Sequence, residues 1–137
     1  MKIINRFPPN IETIKKYFAV ADNTIFTYGD TIYNPANGHI DRALEKHEAV
    51  HSRQQGDEPD VWWAKYIASE DFRLSQEVEA YQTQYREKKQ MIKDKNQLFR
   101  YANQLATDLS SNLYGKVINH QDAMTAITST KTYKFNV

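Results

Sequence analysis

The sequence predicts an α+β fold that is predominantly helical, with one small N-terminal β-hairpin. Three observations lead there. Ile40, Leu44, His47 and His51 recur at three- and four-residue spacing, and so do Leu74, Glu77, Val78, Tyr81 and Tyr85, the pattern of helices with one inward face. Thr24–Tyr28 and Thr31–Tyr33 are short β-branched and aromatic runs on either side of Gly29-Asp30. No 20–50-residue period repeats along the chain.

In chain order, Pro8-Pro9-Asn10 punctuates the start, and Ile11, Ile14, Tyr17 and Phe18 place a short helix over 11–20 with Asn10 as its cap. The hairpin over 24–33 follows, although Gly-Asp is a weaker turn signal than Asp-Gly. Asn34-Pro35-Ala36-Asn37-Gly38 reads as a loop. A helix over 41–55 ends at Gly56. Asp57-Glu58-Pro59-Asp60 forms a capping turn for a short helix over 61–68. Ser69 then caps a longer helix from Phe72 past Lys88, with acidic residues in its first turn. The polar run 86–100 reads as an exposed helix, and Leu105, Leu109 and Leu113 mark an amphipathic segment ending near Gly115. A short helix over 121–127 and a strand-like stretch at 132–137 complete the chain.

With 137 residues the expected organisation is a single domain over 1–137, with a core at about 24–90 and a C-terminal helical segment at about 98–127. Hydrophobic residues make up only 40 %, but nine tyrosines, six phenylalanines and two tryptophans supply large buriable surfaces. The net charge of +1 gives no attraction to nucleic acid or anionic membrane. Arg86, Lys88, Lys89, Lys93, Lys95 and Arg100 are interrupted by Glu87 and Asp94, so they read as a solvated helix rather than a nucleic-acid surface. The first ten residues lack the apolar stretch of a secretory signal, and no run is long enough to span a bilayer. No cysteine is present, which excludes disulfides and thiolate metal sites and is compatible with a reducing compartment.

His47-Glu48-Ala49-Val50-His51 carries the strongest chemical signal. Four residues advance a helix by about 6 Å and return to the same face, so two imidazoles can converge on one zinc ion. Glu48 lies beside them, placed to take a proton from a water at the metal as it attacks a carbonyl. At this histidine and glutamate content the pattern arises by chance in roughly 1 % of such chains.

Two histidines leave zinc short of a ligand. His39 precedes the helix, and His120 sits in a turn-like or capping context; both read as ordinary exposed histidines. Glu70 is accounted for by a helix start. Glu77 shares a face with Leu74 and Tyr81, whereas Glu79 points elsewhere on the same helix.

The blocks Glu45–His51 and Leu74–Tyr81 resemble the gluzincin branch of zinc metallopeptidases, in particular its very small members. The resemblance implies a zincin-like fold in which His47 and His51 bind zinc from an active-site helix, Glu48 is the catalytic glutamate, and Glu77 is the third ligand from a Glu-x-x-Ala pattern on a second helix. Related families often carry Asp or Asn four residues after that glutamate, where this chain has Tyr81. Tyr81 is a candidate catalytic hydrogen-bond donor to a ligand or oxyanion, and equally a candidate core aromatic; Tyr85 shares the ambiguity. The chain also looks like phage and prophage proteins with the same two blocks, an impression to which Gln54-Gln55 and Trp62-Trp63 add.

The implied function is a zinc-dependent peptidase acting on a peptide or protein, of phage or host origin, in the cytoplasm of an infected or prophage-carrying bacterial cell. The alternative is a phage structural or assembly protein, associated with the virion, that keeps a non-catalytic zinc-stabilised fold. Either run of the hairpin is a candidate edge for pairing with an extended peptide, or simply a cover for the helix core. Trp62 and Trp63 read as packing residues. Adjacent helix positions cannot share one groove, so one of the two is expected to be partly exposed.

Overall fold

A computed structural model describes residues 1–131. The chain is mostly helical, with a small mixed sheet. Strands β2 (Phe26–Tyr28) and β3 (Thr31–Tyr33) form the expected antiparallel hairpin, with Thr27 opposite Ile32. Gly29 takes φ 64°, the positive value that the first turn position demands. The sheet also holds a strand that the sequence did not announce. β1 (Lys2–Ile4) runs parallel to β3, giving the order β1-β3-β2. β3 is therefore central, which removes it as a candidate edge.

Helix α1 spans Ile11–Tyr17 and stops short of the expected end. Phe18 turns extended, and Tyr17 is left 64 % exposed. Asn10 does not cap it: its side chain makes no cap bond, and its buried Oδ1 has no partner. Helix α2 (Arg42–Gln55) follows the sequence closely. Asp41 accepts from the Leu44 amide at its start, and Gly56 ends it at φ 56°.

Helix α3 covers Pro59–Ala68, starting two residues earlier than expected because Pro59 suits the first turn. Both tryptophans are buried, at 5 % and 8 % exposure, against the expectation for adjacent positions. The reason is that α3 is enclosed on two sides. The Trp62 indole N–H donates to Gln76 Oε1 on the following helix, whereas the Trp63 N–H donates to the Thr27 carbonyl of β2.

Helix α4 (Glu70–Lys89) begins behind Ser69, whose hydroxyl accepts from the Phe72 amide. The polar run does not continue as one exposed helix. α4 ends at Lys89, and α5 (Lys95–Leu109) starts behind Asp94, whose carboxylate accepts from the Asn96 amide. That break lets α5 fold back onto α4. Leu113 belongs to a separate 3-10 turn, Asn112–Tyr114, rather than to α5. Asn119 then caps α6 (His120–Thr128). The strand-like run at 132–137 lies outside the described residues. Among the described residues no helix is long and apolar enough to cross a membrane.

Two apolar clusters flank α2 and α4. One joins α4, α5 and α6 through Val78, Tyr81, Leu105, Leu109 and Ile127. Ala102, Ala106, Ala123 and Ala126, none more than 1 % exposed, let these helices approach closely. The other joins α1, the sheet and α3 through Ile14, Phe26, Trp62, Trp63 and Tyr66. Each large side chain buried in these clusters contributes about 1.5–3 kcal/mol. Tyr114 packs against both clusters. The seam between them holds His47, His51 and Glu77, all buried.

Candidate metal centre

Helix periodicity puts His47 and His51 on the buried face of α2, with ring centroids 4.9 Å apart. α4 packs across α2 and brings Glu77 to the same point. Glu77 Oε1 lies 3.5 Å from His47 Nε2 and 3.2 Å from His51 Nε2. One ligand atom from each residue falls within 4.8 Å of the others. Among the described residues, His47, His51 and Glu77 are thus a buried cluster able to hold a metal ion.

Hydrogen bonds outside the cluster determine which ring nitrogens face it. His47 Nδ1 lies 2.9 Å from Gln84 Oε1, while Gln84 Nε2 donates to the Tyr101 hydroxyl. His51 Nδ1 lies 2.9 Å from Gln54 Oε1, while Gln54 Nε2 donates to the Gln76 carbonyl and to Glu79. Both glutamines use their amide NH2 elsewhere, so each carbonyl oxygen must accept from an imidazole Nδ1–H. In a neutral imidazole that leaves the Nε2 lone pair aimed at the centre. Two such lone pairs and a carboxylate oxygen repel one another unless a cation lies among them.

The spacing suits a tetrahedral metal. Two ligands each about 2.0–2.1 Å from a tetrahedral zinc stand about 3.3 Å apart, which matches the two imidazole–carboxylate separations. The donor set, two imidazoles and one carboxylate with no thiolate, also suits zinc.

The electrostatics carry the same signature. Burial alone would lower the His51 imidazole, but the Glu77 carboxylate outweighs it and lifts the group to about 9. Burial pushes Glu77 up, yet His51, with hydrogen bonds from both imidazoles, holds it far below the usual carboxylate range. The pocket thus favours positive charge between these groups. The other Glu77 oxygen, Oε2, accepts from the Tyr66 hydroxyl at 2.6 Å. Burial and the neighbouring Glu77 charge raise Tyr66 well above the ordinary phenol, so it remains a donor.

Glu48 is also buried, and it makes no bond to Glu77. Its Oε2 accepts from the Thr27 hydroxyl at 3.4 Å, a long contact from the sheet. Burial raises its carboxyl against the opposing pull of His47 and His51. That direction moves a carboxylate towards the range useful for proton transfer near neutral pH.

A cavity of about 70 Å³ brings Glu48 together with His47, His51 and Glu77. Ile14 of α1, Phe18 just past its end, Phe26 of β2 and the aromatic side chains of α3 form much of its wall. A second cavity of about 320 Å³ reaches His47 and Glu48 from the side of α5 and Tyr81.

Tyr81 packs its ring edge-on against His47, with centroids 4.5 Å apart. Its hydroxyl pairs with that of Tyr114 at 2.8 Å. Tyr85 is half-buried against the helical cluster and lines neither cavity at the metal centre. His39, Glu70 and His120 are exposed and take no part in the cluster. Glu79 pairs instead with Arg53 and Gln54. β2 does lie at a sheet edge, but Gln55 occupies part of its backbone, donating to the Thr27 carbonyl and accepting from the Gly29 amide.

Five supporting residues were not recognised as such from sequence: Thr27, Gln54, Tyr66, Gln84 and Tyr114. Gln54 follows His51 by three residues on α2, and Gln84 follows Glu77 by seven on α4, so helical spacing could have nominated both. Nothing local marks Thr27, Tyr66 or Tyr114. In comparisons with known proteins, the chain matches no family model, no curated protein and no solved structure.

Proposed function

We propose that the protein is a zinc-dependent hydrolase of peptide bonds, with His47, His51 and Glu77 as metal ligands and Glu48 as the general base. The observation that carries this reading is the meeting of α2 and α4, where a glutamate reaches two imidazoles while a second carboxylate, held only by a long contact from Thr27, shares their cavity. The likeness of the two sequence blocks to gluzincin peptidases supports it.

Zinc held here would lower the pKa of a water molecule and polarise a carbonyl group. The chain's own residues supply the rest. Gln84 and Gln54 orient the imidazoles, and Tyr66 fixes the Glu77 carboxylate. Glu48, raised by burial, accepts the proton from the attacking water and passes it to the departing amine. The aromatic walls limit access of bulk water. Tyr81 and Tyr114 stay protonated, because burial raises both hydroxyls, and the pair stands ready to donate to developing negative charge.

The test is a peptide library incubated with zinc-loaded protein and read by mass spectrometry. New termini should appear, vanish with a chelator, and fall by about 10²–10⁴-fold in Glu48→Gln, which should still bind zinc. Cleavage undiminished by that replacement would reject the assigned base.

A second reading is a zinc-stabilised protein without turnover. The deep burial of the three ligands, each 4 % exposed, favours it, since structural zinc sites are closed. It expects zinc to raise the melting temperature while no library peptide is cut.

A further inference from the structure

We propose that the larger cavity beside the metal centre is a subsite for a basic group of the substrate, held by Asp108. The proposal rests on the hydrolase reading and narrows its substrate to peptides carrying a cation near the scissile bond.

Asp108 is the penultimate residue of α5. A negative charge there faces the negative end of the helix dipole, a placement that costs stability. No lysine or arginine compensates it: among the described residues Asp108 forms no ion pair, its side chain accepts only from Gln104, at 3.0 Å, and the one cationic influence on it is His47, which as a metal ligand would be neutral. The carboxylate is half-buried, and burial raises its pKa, so it is partly stripped of water as well. A local rule broken without local compensation is the mark of a group kept for a ligand.

The cavity links this carboxylate to the proposed chemistry. It runs from His47 and Glu48 to Asp108, with Leu44, Ala21 and Tyr114 in its walls, and no lysine or arginine lines it. Its volume of about 320 Å³ exceeds the roughly 150 Å³ that accommodates a benzene ring, leaving room for a lysine or arginine side chain. A cation placed there would pair with a carboxylate already poor in water, where such a bond is strong. The smaller cavity offers no such partner: its wall is largely aromatic and aliphatic, and its carboxylates are Glu48 and the metal-facing Glu77.

The decisive experiment is calorimetric titration of zinc-loaded protein with three hydroxamates, which anchor on zinc whatever their side chain. These are the Nα-acetyl-lysine, Nα-acetyl-norleucine and free-amine norleucine compounds. Acetyl-lysine hydroxamate should bind about tenfold or more tighter than acetyl-norleucine hydroxamate, and Asp108→Asn should erase the difference. A preference for the free-amine norleucine compound, also erased by Asp108→Asn, would identify an α-amine as the cation. This substitution preserves side-chain size and removes an unfavourable helix-end charge, so the fold is retained. Equal binding of all three compounds, or a preference unchanged in Asp108→Asn, would overturn the subsite and leave the metal centre standing. Failure of every hydroxamate to bind the zinc-loaded protein would overturn both.

Discussion

The Tyr66 hydroxyl donates to Glu77 Oε2 across 2.6 Å, which leaves Oε1 as the oxygen turned towards His47 and His51. A residue of α3 therefore sets the orientation of a carboxylate on α4 for partners on α2. Tyr66→Phe keeps the ring in its stack on Trp62 but removes the donor. Zinc affinity should fall by about 10–100-fold, measured by competition with a chromophoric chelator. Unchanged affinity would show that Glu77 needs no such restraint.

The glutamine partners make a prediction about proton position. In zinc-loaded protein both imidazoles should carry their proton on Nδ1, seen in long-range nitrogen–proton NMR correlations of the histidine rings. Gln84→Met leaves His47 Nδ1–H without its acceptor. Its Nδ1 resonance should shift, and zinc affinity should again drop by about 10–100-fold, while the His51 signals stay in place.

Metal binding should displace a proton. In the metal-free protein His51 titrates at about 9, so it is protonated at pH 7 and must lose that proton to bind zinc. Titration calorimetry in buffers of different ionisation enthalpy should report about one proton released from this group at pH 7, and progressively less as pH rises beyond its pKa. The same shift sets the stability of the metal-free fold. A histidine raised above its unfolded value stabilises most fully below about 6.5, and that contribution disappears as pH climbs through about 9. The melting temperature of chelator-treated protein should carry this loss over that interval, and bound zinc should abolish the dependence.

Packing predicts a contrast between two aromatic truncations. Trp63→Ala removes a buried indole and its bond to the Thr27 carbonyl, so it should cost about 3–5 kcal/mol in denaturant unfolding. Phe99→Ala removes a ring that is 63 % exposed and should stay within about 0.5 kcal/mol of the parent protein. Similar costs at both sites would contradict the assignment of the core.

The elements with strong local signals were legible in the sequence. α2 was marked by periodicity, by Asp41 ahead of it and by Gly56 behind it, and the hairpin was marked by Gly29. β1 was not legible, because Lys2-Ile3-Ile4 is too short a run to mark a strand until β3 supplies a parallel partner. The break between α4 and α5 hid in a largely polar run without glycine or proline, where the Asp94 cap is the local marker. Of the centre, the two histidines followed from spacing alone, while Glu77 needed the resemblance as well as its helix face. The supporting hydrogen bonds could not be read at all where the partners lie far apart, as with Thr27 and Glu48, since only the tertiary packing of β2 on α2 makes them neighbours. The inward face of α4 through Leu74, Glu77, Val78 and Tyr81 was legible, but the burial of Arg73, Gln82 and Gln84 was not, since each depends on a polar partner from another segment.

The central claim is that one divalent ion is held jointly by α2 and α4, and X-ray absorption at the zinc edge tests it most directly. Protein purified after growth with zinc should contain one ion per chain, bound by two imidazoles and by oxygen, with the oxygen contribution altered in Glu77→Ala. Protein that takes up no zinc, or whose zinc spectrum is unaffected by replacing His47, His51 and Glu77, would contradict the account.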